Sequence, residues 1–350
     1  MNLLSLLRLR RNSNNSTTTP AEAYYGLDHA VLNIPLPPPS MWMNLGYWED
    51  TKDFPTACAA LLDQVLITAG LLDNDGLSKV EVRKKVNLVD VGIGCGDQSL
   101  RCLGYNRANK DEDKKERPLF DSYIGITSLP IQAQFAKQRV ESLLSSSSST
   151  TTDQTDEKET PRAQIHCANA ALTSSWSEEI KSSLPIPIPI PVPDSNLEEE
   201  HKHSENWLLA LDTLYHFTPS RTPLFQYTHD TLRANIMSFD LILPTPKPTL
   251  LYRLLLRLLC LISGIPYSNF MSEAKYKSLL VDAGYDPNKI IFRDISEHVF
   301  PGISTFLEKR FKEGRIHGLS KMGKFKGAGR LFSWWADSGV VRGVIVVARV

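Results

Sequence analysis

Seven apolar runs rich in β-branched residues recur along the chain: VNLVDVG (86–92), SYIGIT (122–127), AQIHCA (163–168), NWLLALD (206–212), IMSFDLIL (236–243), IIFRDIS (290–296) and GVIVVARV (343–350). Their length and composition predict buried β-strands rather than helices. Between them, apolar positions return at helical spacing, most clearly in LPIQAQFAKQRVESLL (129–144) and SEAKYKSLLVDAG (272–284). The second has a stop signal in Gly284, with Pro287 beyond it. This alternation predicts an α/β fold: a doubly wound, seven-stranded, mostly parallel sheet covered on both faces. Its last two strands are expected to form an antiparallel, hairpin-like pair. Ligands of such sheets sit at the carboxyl ends of the strands, near the point where strand order reverses.

Three stretches interrupt the pattern. NRANKDEDKKERP (106–118) is a charged loop and SSSSSTTTDQTDEKETP (145–161) is rich in Ser and Thr. LPIPIPIPVPDSNLEEEHKHSE (184–205) carries alternating prolines that sustain neither a helix nor a central strand. All three read as solvated insertions that swell one domain without dividing it. That domain is expected over residues 41–350, with 1–40 as a flexible leading segment. The leading segment has Arg8, Arg10 and Arg11 and no acid before Glu22. This is a weak organelle-targeting pattern, and a plain disordered tail is the favoured reading.

Composition narrows the classes of function. Thirty-nine Lys and Arg balance 39 Asp and Glu, for a formal charge of zero. That argues against the broad basic footprint of a nucleic-acid binder. Five cysteines (Cys58, Cys95, Cys102, Cys167, Cys260) form no CxxC pair. They predict reduced thiols in a cytoplasmic protein, and no metal site. No run reaches the roughly 18 apolar residues of a membrane span.

The chemistry concentrates in LVDVGIGCGDQSL (88–100), with three glycines in five positions after the first strand. Dinucleotides and S-adenosylmethionine both use a glycine-rich loop there. The dinucleotide fingerprint is G-x-G-x-x-G with an acid about 20 residues on. Here Gly92, Gly94 and Gly96 give G-x-G-x-G, and the second strand ends in Thr127. Both features count against an NAD-dependent oxidoreductase.

The stretch resembles motif I of class I S-adenosylmethionine-dependent methyltransferases. The resemblance implies that Asp90 orders the loop and the cofactor ammonium, and that Gly92, Gly94 and Gly96 line the cofactor. YIGITSLPIQAQFAKQRV (123–140) is similar to a segment of the branch holding cyclopropane-fatty-acid synthases and the mycolic acid, tocopherol and sterol methyltransferases. In that branch a Thr and a Gln share the ribose hydroxyls, which implies Thr127 and Gln132 here. CANAAL (167–172) is similar to the element that meets the adenine, with Asn169 where Asp is usual. MNLGYWED (43–50) resembles a segment preceding motif I, which implies a lid role for Tyr47 and Trp48, with Tyr24 and Tyr25 as lesser candidates. Aromatics in a loop are as readily core anchors.

On the acceptor side, ALDTLYHF (210–217) is similar to the segment whose Glu-His-Phe serves cyclopropane formation. Tyr215 stands in the Glu position, which favours plain methyl transfer. His216 is the candidate base, because histidine titrates near neutrality; a satisfied packing histidine is the alternative. The apolar segment near 249–264, with Arg253 and Arg257 four apart, is too short to span a bilayer. It is expected to form a helical cap over the site. A helix lying in a membrane surface and a dimer contact are the alternatives. Phe270, Met271 and Tyr276 are expected to extend the wall of that cap. The reading is a methyltransferase that uses S-adenosylmethionine on a hydrophobic or amphiphilic small molecule or lipid. A catalytically silent binding protein of the same fold is a second alternative.

Overall fold

Among the described residues seven strands form, each within a few residues of its expected place. The computed structural model describes residues 35, 38–81, 84–107, 117–148, 161–186, 204–317 and 322–350. The strands are β1 (Lys85–Val91), β2 (Ser122–Thr127), β3 (Arg162–Cys167), β4 (Ser204–Leu211), β5 (Ala234–Ile242), β6 (Ile290–Asp294) and β7 (Arg342–Ala348). The helices are α1 (Phe54–Thr68), α2 (Asp97–Gly104), α3 (Pro130–Ser148), α4 (Glu178–Ser183), α5 (Thr222–Asp230), α6 (Leu250–Ser263), α7 (Glu273–Asp282), α8 (Ser296–Ile316) and α9 (Gly323–Ser338).

One sheet has the order β3-β2-β1-β4-β5-β7-β6. Neighbours are parallel except at β7, which runs antiparallel to β5 and β6. Strand order reverses between β1 and β4, so a crevice opens at their carboxyl ends. This is the doubly wound, mostly parallel arrangement that the sequence predicts. The last two strands are antiparallel neighbours but make no tight hairpin. α8 and α9 lie between them, and β7 inserts between β5 and β6.

Side-chain alternation splits the core into two layers. Val86 and Leu88 of β1 join Leu61 of α1, Phe300 of α8 and Trp335 of α9 on one face. Val89 and Val91 join Leu224 of α5 and Leu280 of α7 on the other. All nine residues of β5 are buried, whereas the edge strands β3 and β6 are partly open. Each fully buried Leu, Ile or Phe side chain contributes roughly 1.5–3 kcal/mol, so the central strands carry the stability.

The expected leading segment falls mostly outside the described residues, as do Tyr24, Tyr25 and the targeting pattern. The same holds for most of the three insertions. The start of the Ser-rich one, 145–148, instead continues α3. Ser145 and Ser146 donate to the carbonyls of Glu141 and Ser142, each at 2.8 Å. Such back-bonding satisfies the hydroxyls within the helix. Among the described residues no helix is long and apolar enough to cross a membrane.

Candidate functional site

The glycine loop after β1 holds all three glycines in the left-handed region, with φ of +81°, +56° and +89° for Gly92, Gly94 and Gly96. L-residues adopt that region at a cost. The three have different surroundings. A Cβ on Gly92 would stand 2.6 Å from Thr213 Oγ1, and one on Gly96 would stand 2.9 Å from Ala136 Cβ on α3. A Cβ on Gly94 would meet nothing within 4 Å. The outer glycines thus let other elements pack closely, while Gly94 presents bare backbone to a cleft.

That cleft, of about 340 Å³, lies at the carboxyl ends of β1, β2 and β4. It falls within the range of roughly 300–1,000 Å³ typical of small-molecule sites. Gly92, Gly94, Thr127, Gln132, Tyr215 and His216 all line it, so residues up to 124 positions apart converge. Thr127 Oγ1 donates to Gln132 Oε1 at 3.1 Å. The Gln132 amide reaches Met43 Sδ at 3.7 Å on the facing segment.

Five expected site residues lie elsewhere. Asp90 is fully buried beneath the loop, where its carboxylate accepts from Gln98 Nε2 and from the Tyr123 hydroxyl. It braces the loop from behind and has no path to an ammonium in the cleft. Burial raises its pKa to about 7, against the lowering effect of those two bonds. Gly96 packs on α3. Asn169 is exposed, and its side chain accepts from Ala171 N at 2.9 Å, which turns it back on its own loop. Tyr47 and Trp48 are core anchors: Trp48 packs on Phe54 and Phe306, and Tyr47 on His298. Their burial excludes a lid role.

The residues before them form the strap that crosses the cleft, Met41 to Leu45. Met41 N donates to both carboxylate oxygens of Asp97 at 3.1 Å. Asp97 is also gripped by Arg139 through two bonds of 2.7 and 3.0 Å. At the other end Leu45 N donates to Asp212 Oδ2 at 2.9 Å. Sequence reasoning missed Asp97, Arg139 and Asp212, because their partners lie 42 to 167 positions away.

Asp212 is the notable omission. It follows β4 directly, at φ +58°, unusual for a residue with a Cβ. Its Oδ1 is sealed from solvent without a well-formed hydrogen bond, although the Tyr215 hydroxyl stands against the carboxyl. Burial pushes its pKa up to about 8. Its signal was visible in ALDTLYHF as an acid closing a strand. Tyr215 is buried, which holds its hydroxyl protonated far above neutrality. His216 stands exposed at the mouth, and partial desolvation of its ring lowers its pKa.

A buried polar network fixes this turn. Asn269 donates to the carbonyls of Tyr215 and Phe217, and its own carbonyl accepts from Arg221 at 2.8 Å. Arg221 pairs with Asp240 on β5, both fully buried, and lies over the Tyr276 ring at 4.9 Å. Phe270, Met271 and Tyr276 are core residues here and line no part of the cleft. Nor does α6 cover it. Leu256 and Cys260 bury one side of that helix, while most of its other leucines face outward.

No protein-family model and no curated protein matches the chain. Solved structures do. A (4+2)-cyclase is 16% identical, with 92% of this chain and 91% of that chain covered and a TM-score of 0.50. A cyclopropane synthase from Mycobacterium tuberculosis is 13% identical over 88% of this chain and 90% of that one, at a TM-score of 0.51. A mycolic acid cyclopropane synthase, crystallised with SAH and CTAB, is 14% identical over 96% and 99%, at a TM-score of 0.53. At such identities the likeness concerns the fold.

Proposed function

We propose that this chain is an S-adenosylmethionine-dependent methyltransferase acting on a hydrophobic or amphiphilic small molecule or lipid. The observation that carries this reading is the Thr127–Gln132 pair, bonded at 3.1 Å at the end of β2 and facing the same cleft as the bare backbone of Gly94. A hydroxyl and a carboxamide can satisfy a ribose diol without a charge. A dinucleotide site would want an acid at that strand end. The fold alone would not decide, because one fold hosts many chemistries.

The residues present fit the cofactor. The cleft is large enough for a small ligand, and Gly94 keeps its wall free of any side chain. When bound, the cofactor supplies an electrophilic sulfonium methyl group. Thr127 and Gln132 would hold its ribose, and the strap from Met41 to Asn44 would shield it from water.

At the acceptor end Tyr215 and His216 line the cleft. Tyr215 keeps its proton, and with its hydroxyl against the Asp212 carboxyl its ring can orient an acceptor at the cleft wall. His216, neutral at pH 7 because its pKa lies below the ordinary value, can take a proton from the attacking group at its free ring nitrogen. Much of the rate in such a transfer comes from positioning. Met43 and Trp42 add an apolar flank, which supports a hydrophobic or amphiphilic acceptor.

Titration calorimetry with S-adenosylmethionine and with NADH tests the cofactor, and NADH binding alone would reverse the reading. Incubation with methyl-labelled S-adenosylmethionine and a lipid extract, followed by mass spectrometry, tests the acceptor. Label found only in protein would overturn the small-molecule part. Tight cofactor binding without turnover on any extract would favour the silent binding protein.

A further inference from the structure

We infer that α6 and the neighbouring face of α9 form a docking surface for an anionic lipid bilayer. At 100° per residue, Leu250, Leu251, Leu254, Leu258, Leu261 and Ile262 fall within one arc of about 120° on α6. Each is between 47% and 80% exposed. The core-facing residues Leu256 and Cys260 lie on the opposite side. Six large apolar side chains on one outward arc exceed the scattered exposure normal for a surface.

Charge identifies the occupant. Residues 241–272 contain Lys247, Arg253 and Arg257 and no Asp or Glu. Arg253 and Arg257 flank the apolar arc along one edge. The opposite edge carries Tyr252, whose ring meets Trp334 of α9 edge-on at 5.9 Å. On α9, Arg330 precedes Trp334 by four, so it shares the helix side that turns toward α6, while Lys326 stands further round, its ammonium over the Phe311 ring of α8 at 4.9 Å. Residues 322–336 carry Lys324, Lys326 and Arg330 and no Asp or Glu. In a chain of zero net charge this is a marked asymmetry.

Basic residues around an outward apolar arc suit an interface that is apolar inside and anionic at its surface. A second copy suits it poorly. A two-fold pairing would set this patch against itself, and the segment has no carboxylate to meet the arginines. α6 is also joined to the cleft. The turn that follows it, Tyr267–Asn269, is bonded through Asn269 to the carbonyls of Tyr215 and Phe217. A seated α6 would place the acceptor end of the cleft beside the bilayer, so the acceptor would be a bilayer-resident amphiphile. That last step rests on the methyltransferase reading; the docking does not.

The test is sedimentation of the full chain with vesicles of phosphatidylcholine alone and of phosphatidylcholine mixed with phosphatidylglycerol. Binding to the mixed vesicles, weakened by salt and absent from the neutral ones, is expected. Leu254→Glu with Leu258→Glu should reduce it by on the order of tenfold or more, and Arg253→Gln with Arg330→Gln by about tenfold. All four side chains are at least partly exposed, so unchanged thermal unfolding is expected and is to be checked. Equal binding to both vesicles, or none, would overturn the inference. So would a wild-type dimer in light scattering that the Leu254→Glu, Leu258→Glu variant converts to monomer. Vesicle binding by a chain unable to bind S-adenosylmethionine would support the docking and overturn the methyl-transfer reading alone.

Discussion

Asn269 holds Tyr215 in place from 54 positions away: its side-chain amide donates to the Tyr215 carbonyl at 2.9 Å and to the Phe217 carbonyl at 2.8 Å. Both bonds are buried, and the residue is only 2% exposed. Asn269→Ala leaves two buried carbonyls without that donor. The expected loss is about 2–6 kcal/mol, because each buried unsatisfied group costs roughly 1–3 kcal/mol. Denaturant unfolding measures it. The turn carrying Tyr215 and His216 should loosen with it, so any methyl transfer should fall while cofactor affinity, set at the β1 and β2 ends, changes little.

Gly94 and Gly96 separate binding from folding. Gly94→Val meets no protein atom within 4 Å, so it should cost only the strain of a left-handed backbone, about 1–2 kcal/mol. The valine would stand in the cleft, and cofactor binding should be lost in calorimetry. Gly96→Val drives a side chain into Ala136 on α3, in addition to the same strain. It should lower the unfolding temperature more than Gly94→Val does. The opposite order would mean that the roles of the two glycines are reversed.

Thr127 and Gln132 should act as a pair. Thr127→Val and Gln132→Leu should each weaken cofactor binding by about five- to tenfold, the value of a hydrogen bond or two. The double variant should lose less than the product of the singles, because the two side chains are bonded to each other. Strict additivity would separate them and would remove the main support for ribose recognition.

The strands and the glycine loop were legible because both are local signals: β-branched runs, and glycines where the backbone turns left-handed. Thr127 and Gln132 lie five apart across one strand–helix junction, so proximity in sequence brought them together. What escaped depends on long-range burial. Tyr47 and Trp48 read equally as lid aromatics or core anchors; the chain buries them against α1 and α8 and gives the crossing to Met41–Leu45. The strap's anchors, Asp97 with Arg139 and Asp212, carry no spacing signature. The apolar content of α6 was plain in sequence, yet its direction was not. Which leucines face outward follows from the phase of Leu256 and Cys260, and that phase is set by tertiary packing.

Asp212 should make the ligand-free protein less stable as pH rises. Its folded pKa is raised to about 8, chiefly by burial, from an ordinary 3.8. Between those values the folded chain binds a proton that the unfolded chain has released. Stability attributable to this group is therefore complete below about pH 4 and is lost as pH climbs through about 8. Asp90, raised to about 7 by burial, acts with the same sign over a window ending one unit lower. Asp212→Asn keeps the shape and the acceptor for Leu45 N while removing the proton equilibrium. Denaturant unfolding of both proteins at pH 5 and at pH 8.5 gives the comparison. The wild type should lose more stability between the two than Asp212→Asn does, and part of the decline should persist in the variant through Asp90. Equal declines would show that the Asp212 carboxyl is already ionised at neutral pH in the folded chain. The same result would make Asp212 an anionic neighbour of Tyr215 and a second proton acceptor beside His216.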